Sequence, residues 1–228
     1  MKIKLLLMVT AVGIFLSLGL NTQAQSTDVP KYELAADFSS LSLNSGTSLP
    51  GFGGRFTYNL NKHLALEAAG YFYPGKCDGC TGEITGHVTE GLFGVKAGKR
   101  FKKWGVFGKA RPGFMSFGQQ RFTIIPVSAG AASASQCFGP SPTSLTSCFR
   151  FEQSRLTHIA LDVGGVLEFY PSNRIVVRFD GGDTMILQRQ QTFDTLTLDS
   201  GVVRLVTIPG PGQTRHSFQF TAGVGFRF

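Results

Sequence analysis

The sequence closes on His216-Ser-Phe-Gln-Phe-Thr-Ala-Gly-Val-Gly-Phe-Arg-Phe228. Phe218, Phe220, Ala222, Val224, Phe226 and Phe228 share one parity, and Ser217, Gln219, Thr221, Gly223, Gly225 and Arg227 share the other. Side chains along a β-strand alternate between faces, so this stretch reads as a strand with one apolar and one polar face. A soluble sheet alternates in the same way. It rarely finishes on Phe-Arg-Phe with nothing beyond to cover the rings.

The same period recurs upstream. The expected strands run over Tyr32–Leu41, Gly51–Leu60, Leu64–Tyr73, Val88–Lys99, Trp104–Phe117, His158–Phe169 and Arg174–Thr184, with His216–Phe228 as the eighth. Their apolar parities carry residues such as Phe38, Phe56, Leu66, Phe93, Val106, Leu161 and Phe179. Glu33, Asp37, Glu90 and Glu168 fall on the opposite, polar parity, together with Arg55, Glu67, Lys96, Lys109, Arg111, Asp162, Arg178 and Asp180. No long segment after Leu20 repeats with helical period, so the chain is read as all-β. Glycine is abundant at 29 residues, and phenylalanine at 21.

The connections alternate in length. Asn61-Lys62-His63, Arg100–Lys103 and Pro171-Ser172-Asn173 are tight, whereas Pro74–His87, Gly118–Gln153 and the stretch up to Thr214 are long and polar; Asn44–Gly46 is a short turn at the long-loop end. Short turns at one end and longer loops at the other are the pattern of barrels that cross an outer membrane. A soluble sandwich would bury the apolar face and solvate the other. It does not account for the loop asymmetry and the terminal aromatics together.

The first residues agree with export. Lys2 and Lys4 precede a 16-residue apolar run, Leu5–Leu20, and a polar exit with small residues ends at Ala24. This reads as a signal peptide over residues 1–24 with cleavage after Ala24. The alternative, an uncleaved anchor helix, wants about 20 apolar residues. The mature chain, 228 − 24 = 204 residues, suits one domain over 25–228. Without Lys2 and Lys4 it holds 20 basic and 14 acidic side chains, a net of +6. The charges are scattered singly along strands, and an exported chain rarely meets nucleic acid, so a nucleic-acid partner is not expected.

At this point the chain resembles the small outer-membrane β-barrel family that includes the OmpA transmembrane domain and OmpX. Thr221, Gly223, Phe226 and Phe228 match that family's C-terminal assembly signal. The resemblance implies an eight-stranded antiparallel up-and-down transmembrane β-barrel in the bacterial outer membrane, preceded by a signal peptide helix. It also implies outer-membrane lipid and the assembly machinery as partners, with a monomer expected. Chains of the full OmpA type continue into a peptidoglycan-binding domain; that function is not carried over here.

Two features complicate the strand reading. Pro112 lacks an N–H for the ladder, so a bulge or ladder gap is expected there. Thr192–Ile208 could form a hairpin inside the last loop or two further strands of a ten-stranded barrel. Each arm is shorter than the roughly 9–11 residues of a spanning strand, and eight strands are favoured.

Chemistry is sparse. Cys77 and Cys80 belong to one external loop, Cys137 and Cys148 to the next. Zinc would want a second close pair or a His at ligand spacing, and a redox motif would want a thioredoxin-like context. An even count in an exported chain favours disulfides, with Cys77–Cys80 and Cys137–Cys148 as the local pairing among three alternatives. The inward charges Arg55, Glu67, Lys96, Lys109, Arg111, Asp162, Arg178 and Asp180 read as a mutually neutralising plug, with a narrow conducting path as the alternative. In the Lys99–Trp104 turn, Lys and Arg are expected to reach lipid headgroups beside Trp104. A lipid-modifying enzyme would require a His beside a Ser or an acid at the outer rim. His63 falls at the wrong end, and His216 and Ser217 point to opposite faces. No catalytic group, metal or cofactor is expected. The reading is a structural or surface-contact role through external loops, with a small-solute channel as the runner-up.

Overall fold

The computed structural model describes residues 29–42, 48–74, 85–127, 136–138, 147–199 and 202–228. The expected signal peptide, the Asn44–Gly46 turn, Cys77 and Cys80 lie outside the described residues.

The described chain is all strand and turn. The strands are β1 (Tyr32–Ser42), β2 (Ser48–Asn59), β3 (Leu64–Tyr73), β4 (Thr85–Arg100), β5 (Trp104–Val127), β6 (Gln136–Phe138), β7 (Ser147–Phe169), β8 (Ile175–Gln188), β9 (Gln191–Asp199), β10 (Val202–Gly210) and β11 (Gln213–Arg227). Eight of them pair in the order β5-β4-β3-β2-β1-β11-β8-β7, and β5 pairs with β7 to close the cylinder. Every barrel pairing is antiparallel. β9 and β10 form a separate two-stranded sheet, so the Thr192–Ile208 segment is a hairpin and the barrel has eight strands.

The register fixes the shape. Stepping between paired residues from Tyr32 leads through Tyr58, Leu66, Val95, Ala110, Val163, Asp183 and Phe218 and returns to β1 at Ser42. The stagger is therefore 42 − 32 = 10 residues around the barrel. With a rise of about 3.3 Å per residue and about 4.8 Å between strands, eight strands at that stagger tilt by about 40° and enclose a backbone cylinder of radius about 8 Å. That bore is wide enough for large side chains and narrow enough for them to fill it.

The tight turns have local causes. Asn61 Oδ1 accepts the backbone N–H groups of His63 (2.8 Å) and Leu64 (2.9 Å), an Asx turn that reverses β2 into β3. Ser172 Oγ does the same for Arg174 (3.3 Å) and Ile175 (3.1 Å) between β7 and β8. Phe101 N–H donates to the Trp104 carbonyl (2.7 Å), and the two rings stack with centroids 4.1 Å apart.

The strands differ from the sequence expectation in extent. Gly118–Gln153 is not simply a loop. β5 continues to Val127 and β7 begins at Ser147, with pairing from Arg121↔Ser154 to Val127↔Cys148. An irregularity between Phe117 and Arg121 interrupts the apolar alternation there without ending the ladder. Gly86 has φ 117°, a backbone state that glycine tolerates, at the register shift between Thr85 and Val88. At Pro112 the irregularity is a gap rather than a bulge. Pairing with β4 stops after Leu92↔Gly113 and resumes at Val95↔Ala110 in unchanged register, while Pro112↔Leu161 holds on the β7 side.

Candidate functional site

The two faces of the cylinder are chemically opposite. Outside, Phe52 and Phe218 are each 60% exposed; inside, Arg111 and Asp162 are 0% exposed. Leaving an aromatic or aliphatic side chain in water forfeits about 1.5–3 kcal/mol. The outward belt holds Leu34, Phe38, Phe56, Phe93, Phe114, Leu167, Phe179, Phe220, Val224 and others. The sum exceeds the 5–15 kcal/mol stability typical of a domain, so this face must be covered by lipid. The short turns mark the periplasmic end, and both described chain ends lie there: Tyr32 and Phe228 exchange backbone hydrogen bonds of 3.0 and 2.9 Å. The chain is a membrane-spanning β-barrel of the outer-membrane type.

The lumen is organised in layers. At the periplasmic mouth Glu33 accepts from Asn59 Nδ2 (2.9 Å) and Arg227 Nε (3.1 Å), with Arg100 Nη2 at 3.5 Å. Arg100 Nε also donates to the Tyr170 hydroxyl (2.8 Å), which in turn donates to Glu168 (2.6 Å). Burial and the neighbouring Glu168 carboxylate push the Tyr170 phenol well above its ordinary range, so it stays a donor. The sequence expectation that Arg100 reaches headgroups is therefore corrected: its inward parity draws it to these partners, while Lys99, Lys102 and Lys103 stay exposed.

The middle layer gathers the charges. Arg178 forks onto both oxygens of Glu67, the second bond measuring 3.0 Å, and its Nε donates to Asp180 (2.8 Å). Lys96 bridges Glu168 and Glu67, the latter at 3.4 Å. Lys109 sits 2.9 Å from both Asp162 and Asp180. Arg111 Nε donates to Asp162 (2.8 Å), and Arg55 reaches Asp37 at 3.1 Å and Asp180 at 3.9 Å. The eight inward charges singled out from sequence are all buried and fall into one connected group.

Glu33, Asp37, Glu90, Glu168 and Arg227 fall on the polar parity in the sequence but outside the eight charges read as the plug, and Arg100 is expected at the headgroups; all six are in the lumen. With them, the described lumen holds seven cations (Arg55, Lys96, Arg100, Lys109, Arg111, Arg178, Arg227) and seven carboxylates (Glu33, Asp37, Glu67, Glu90, Asp162, Glu168, Asp180).

Above the main ion-pair group lies a belt of hydroxyl and amide side chains around the Glu90 carboxylate. Gln219 Nε2 donates to the Tyr73 hydroxyl (2.8 Å) and to Glu90 (2.8 Å), and Tyr73 donates to the same carboxylate (3.0 Å). Thr184 donates to Gln219 Oε1 (3.0 Å), and Ser39 and Tyr73 hydroxyls are 2.9 Å apart.

The outermost layer departs from a uniformly polar interior. Leu41, Leu49, Val88, Met115, Phe117 and Ile186 are buried together at the loop end of the bore. The signal was present in the sequence: these positions continue the inward parity of their strands but are apolar.

The remaining sequence candidates are dispersed. His63 Nδ1 contacts the Gly98 carbonyl oxygen (2.9 Å) at the short-turn end. His87 faces outward against Phe72, with Arg155 Nη2 at 3.1 Å, and His158 faces the lumen beside Phe117. His216 Nδ1 lies 2.6 Å from Asp183 on the outer surface, while Ser217 is buried. Cys137 and Cys148 are register partners across β6 and β7. Gly223 and Thr221 face the lumen; Phe226 and Phe228 face lipid. Among the described residues, no group of three or more His, Cys, Asp or Glu is placed to hold a metal ion.

No protein-family model matches the chain, and no curated protein matches its sequence. Among solved structures, Neisserial surface protein A is similar at 14% identity and TM-score 0.48, covering 86% of this chain and 96% of that one. The outer membrane protein OprG from Pseudomonas aeruginosa is similar at 9% identity and TM-score 0.49, covering 90% and 99%. Ail of Yersinia pestis is similar at 12% identity and TM-score 0.42, covering 86% and 96%.

Proposed function

We propose that this barrel acts through what it holds outside the membrane and that its lumen is a structural filling. The observation that carries the reading is the layered bore. A balanced ion-pair network occupies the middle, and an apolar layer built from Leu41, Leu49, Val88, Met115, Phe117 and Ile186 lies across its outer end. An ion crossing it would have to displace paired charges and then enter hydrocarbon-like surroundings, and both steps are costly.

The external part has substance of its own. β5 and β7 pair on past the irregularity at Phe117–Arg121, β6 adds a short third strand, and the β9–β10 hairpin presents Leu205, Val206 and Ile208 to solvent. A ribbon and a hairpin on a rigid barrel are a scaffold for surface contact. The role is non-catalytic in this reading. The His216–Asp183 pair has no hydroxyl or thiol within hydrogen-bond reach of the imidazole among the described residues.

The test is a planar-bilayer recording of the purified, refolded protein. Little or no steady conductance is the expected result. Large, stable unit currents would overturn it and make the chain a narrow small-solute channel.

A further inference from the structure

The lumen cations and carboxylates balance seven to seven, so the positive excess of the chain must sit elsewhere. Much of it is at the periplasmic rim. Lys31 precedes β1, Lys62 lies in the β2–β3 turn, Lys99 is the penultimate residue of β4, Lys102 and Lys103 lie in the β4–β5 turn, and Arg174 lies in the β7–β8 turn. Five are exposed and Lys62 is half-buried. Among the described residues no acidic side chain is exposed at this end, because Glu33 and Glu168 are both taken up inside. None of the six cations has a carboxylate within ion-pair distance among the described residues.

We propose that this rim is a binding surface for anionic phospholipid headgroups of the periplasmic leaflet. Three observations favour a lipid plane over an acidic macromolecule. The cations are distributed over all three short turns and the start of β1, which makes a ring rather than a patch. They stand level with Tyr32, Phe101, Trp104 and Phe228, exposed aromatics that mark the edge of the hydrocarbon. Lys99 Nζ lies 5.5 Å from the centroid of the Phe101 ring, the posture of a lysine whose stem follows apolar surface and whose ammonium reaches the phosphate level. The run Lys99-Arg100-Phe101-Lys102-Lys103 is thus divided. Arg100 completes the lumen, and the three lysines remain free to meet phosphate.

The binding is electrostatic, so it should weaken as salt screens it. The barrel is refolded into phosphatidylcholine vesicles containing either spin-labelled phosphatidylglycerol or spin-labelled phosphatidylcholine, and the motionally restricted fraction of each is compared. The wild type should prefer phosphatidylglycerol severalfold. The preference should fall stepwise in Lys102→Gln/Lys103→Gln and in that variant combined with Lys62→Gln/Arg174→Gln, and should vanish in molar salt. These side chains make no packing contacts in the core, and the gel-mobility shift on heating verifies that each variant is folded. Equal restriction of the two lipids by the wild type would overturn the proposal. So would a preference that the substitutions leave unchanged, or rim-dependent capture of soluble polyglutamate without lipid selectivity. None of these outcomes depends on whether the lumen conducts.

Discussion

Gly223 stands opposite Asp37 across the β1–β11 seam, and the Asp37 carboxylate fills the space where a side chain would begin: a Cβ on Gly223 would lie 1.8 Å from Asp37 Oδ1. The glycine thus makes room for the acid that pairs with Arg55 at 3.1 Å. The resemblance to an assembly signal assigns Gly223 a different role, recognition by machinery.

The two roles separate in a refolding experiment. Gly223→Ala should displace Asp37, weaken its pair with Arg55 and lower the unfolding free energy by about 1–3 kcal/mol, the range for a disturbed buried polar group. Urea unfolding of protein refolded in detergent, with no machinery present, measures this. Unchanged stability in vitro together with poor assembly in cells would leave only the signal.

Arg178 anchors Glu67 and Asp180 at once. Arg178→Ala leaves two buried carboxylates short of a cation and should cost about 3–5 kcal/mol. Adding Glu67→Gln should recover part of the loss, because it removes one of the stranded charges. Unfolding midpoints of the single and double variants check both statements. A variant that unfolds like the wild type but alters conductance would favour a conducting path.

Cys137 and Cys148 are Cα register partners on adjacent strands, and directly paired strand positions have Cα separations within the range that a disulfide spans. We expect them to be joined. Intact-mass measurement should then show alkylation of these positions only after reduction. Ready labelling of Cys137 in folded, unreduced protein would count against the bond.

Phe228 closes the seam through its backbone bonds to Tyr32 and a ring contact at 5.7 Å. Its deletion should lower outer-membrane levels in cells. It should also reduce stability in detergent by about 1–2 kcal/mol, from lost hydrogen bonds and aromatic packing. Cell fractionation and in vitro unfolding give the two readings. Normal amounts of folded protein in the membrane would contradict the assembly role.

Period-two alternation made the faces legible: Phe38, Phe93, Leu167 and Phe179 fall outward and Arg55, Lys96 and Asp162 inward, as parity alone requires. Depth was not legible. Glu90 and Lys96 share a parity on β4, yet one is bonded by the Tyr73 hydroxyl and the Gln219 amide and the other bridges Glu67 and Glu168. Their partners come from strands tens of residues away, placed by the stagger of the whole barrel. No local window carries that quantity. The length of β5 was hidden for a different reason. Gly118-Gln119-Gln120 breaks the alternation as a loop would, while the backbone pairing resumes beyond it.

The seam between β1 and β11 also bears on how the barrel comes into being. Glu33 and Arg227, bonded at 3.1 Å, are 194 positions apart. Until β11 arrives, β1 and β8 are bare edges with unanswered N–H and C=O groups, intolerable in hydrocarbon. The cylinder therefore has no stable half-built form within the membrane. Closure is a late, single event that depends on the farthest-separated partners in the chain, which makes for slow maturation and a precursor vulnerable to aggregation.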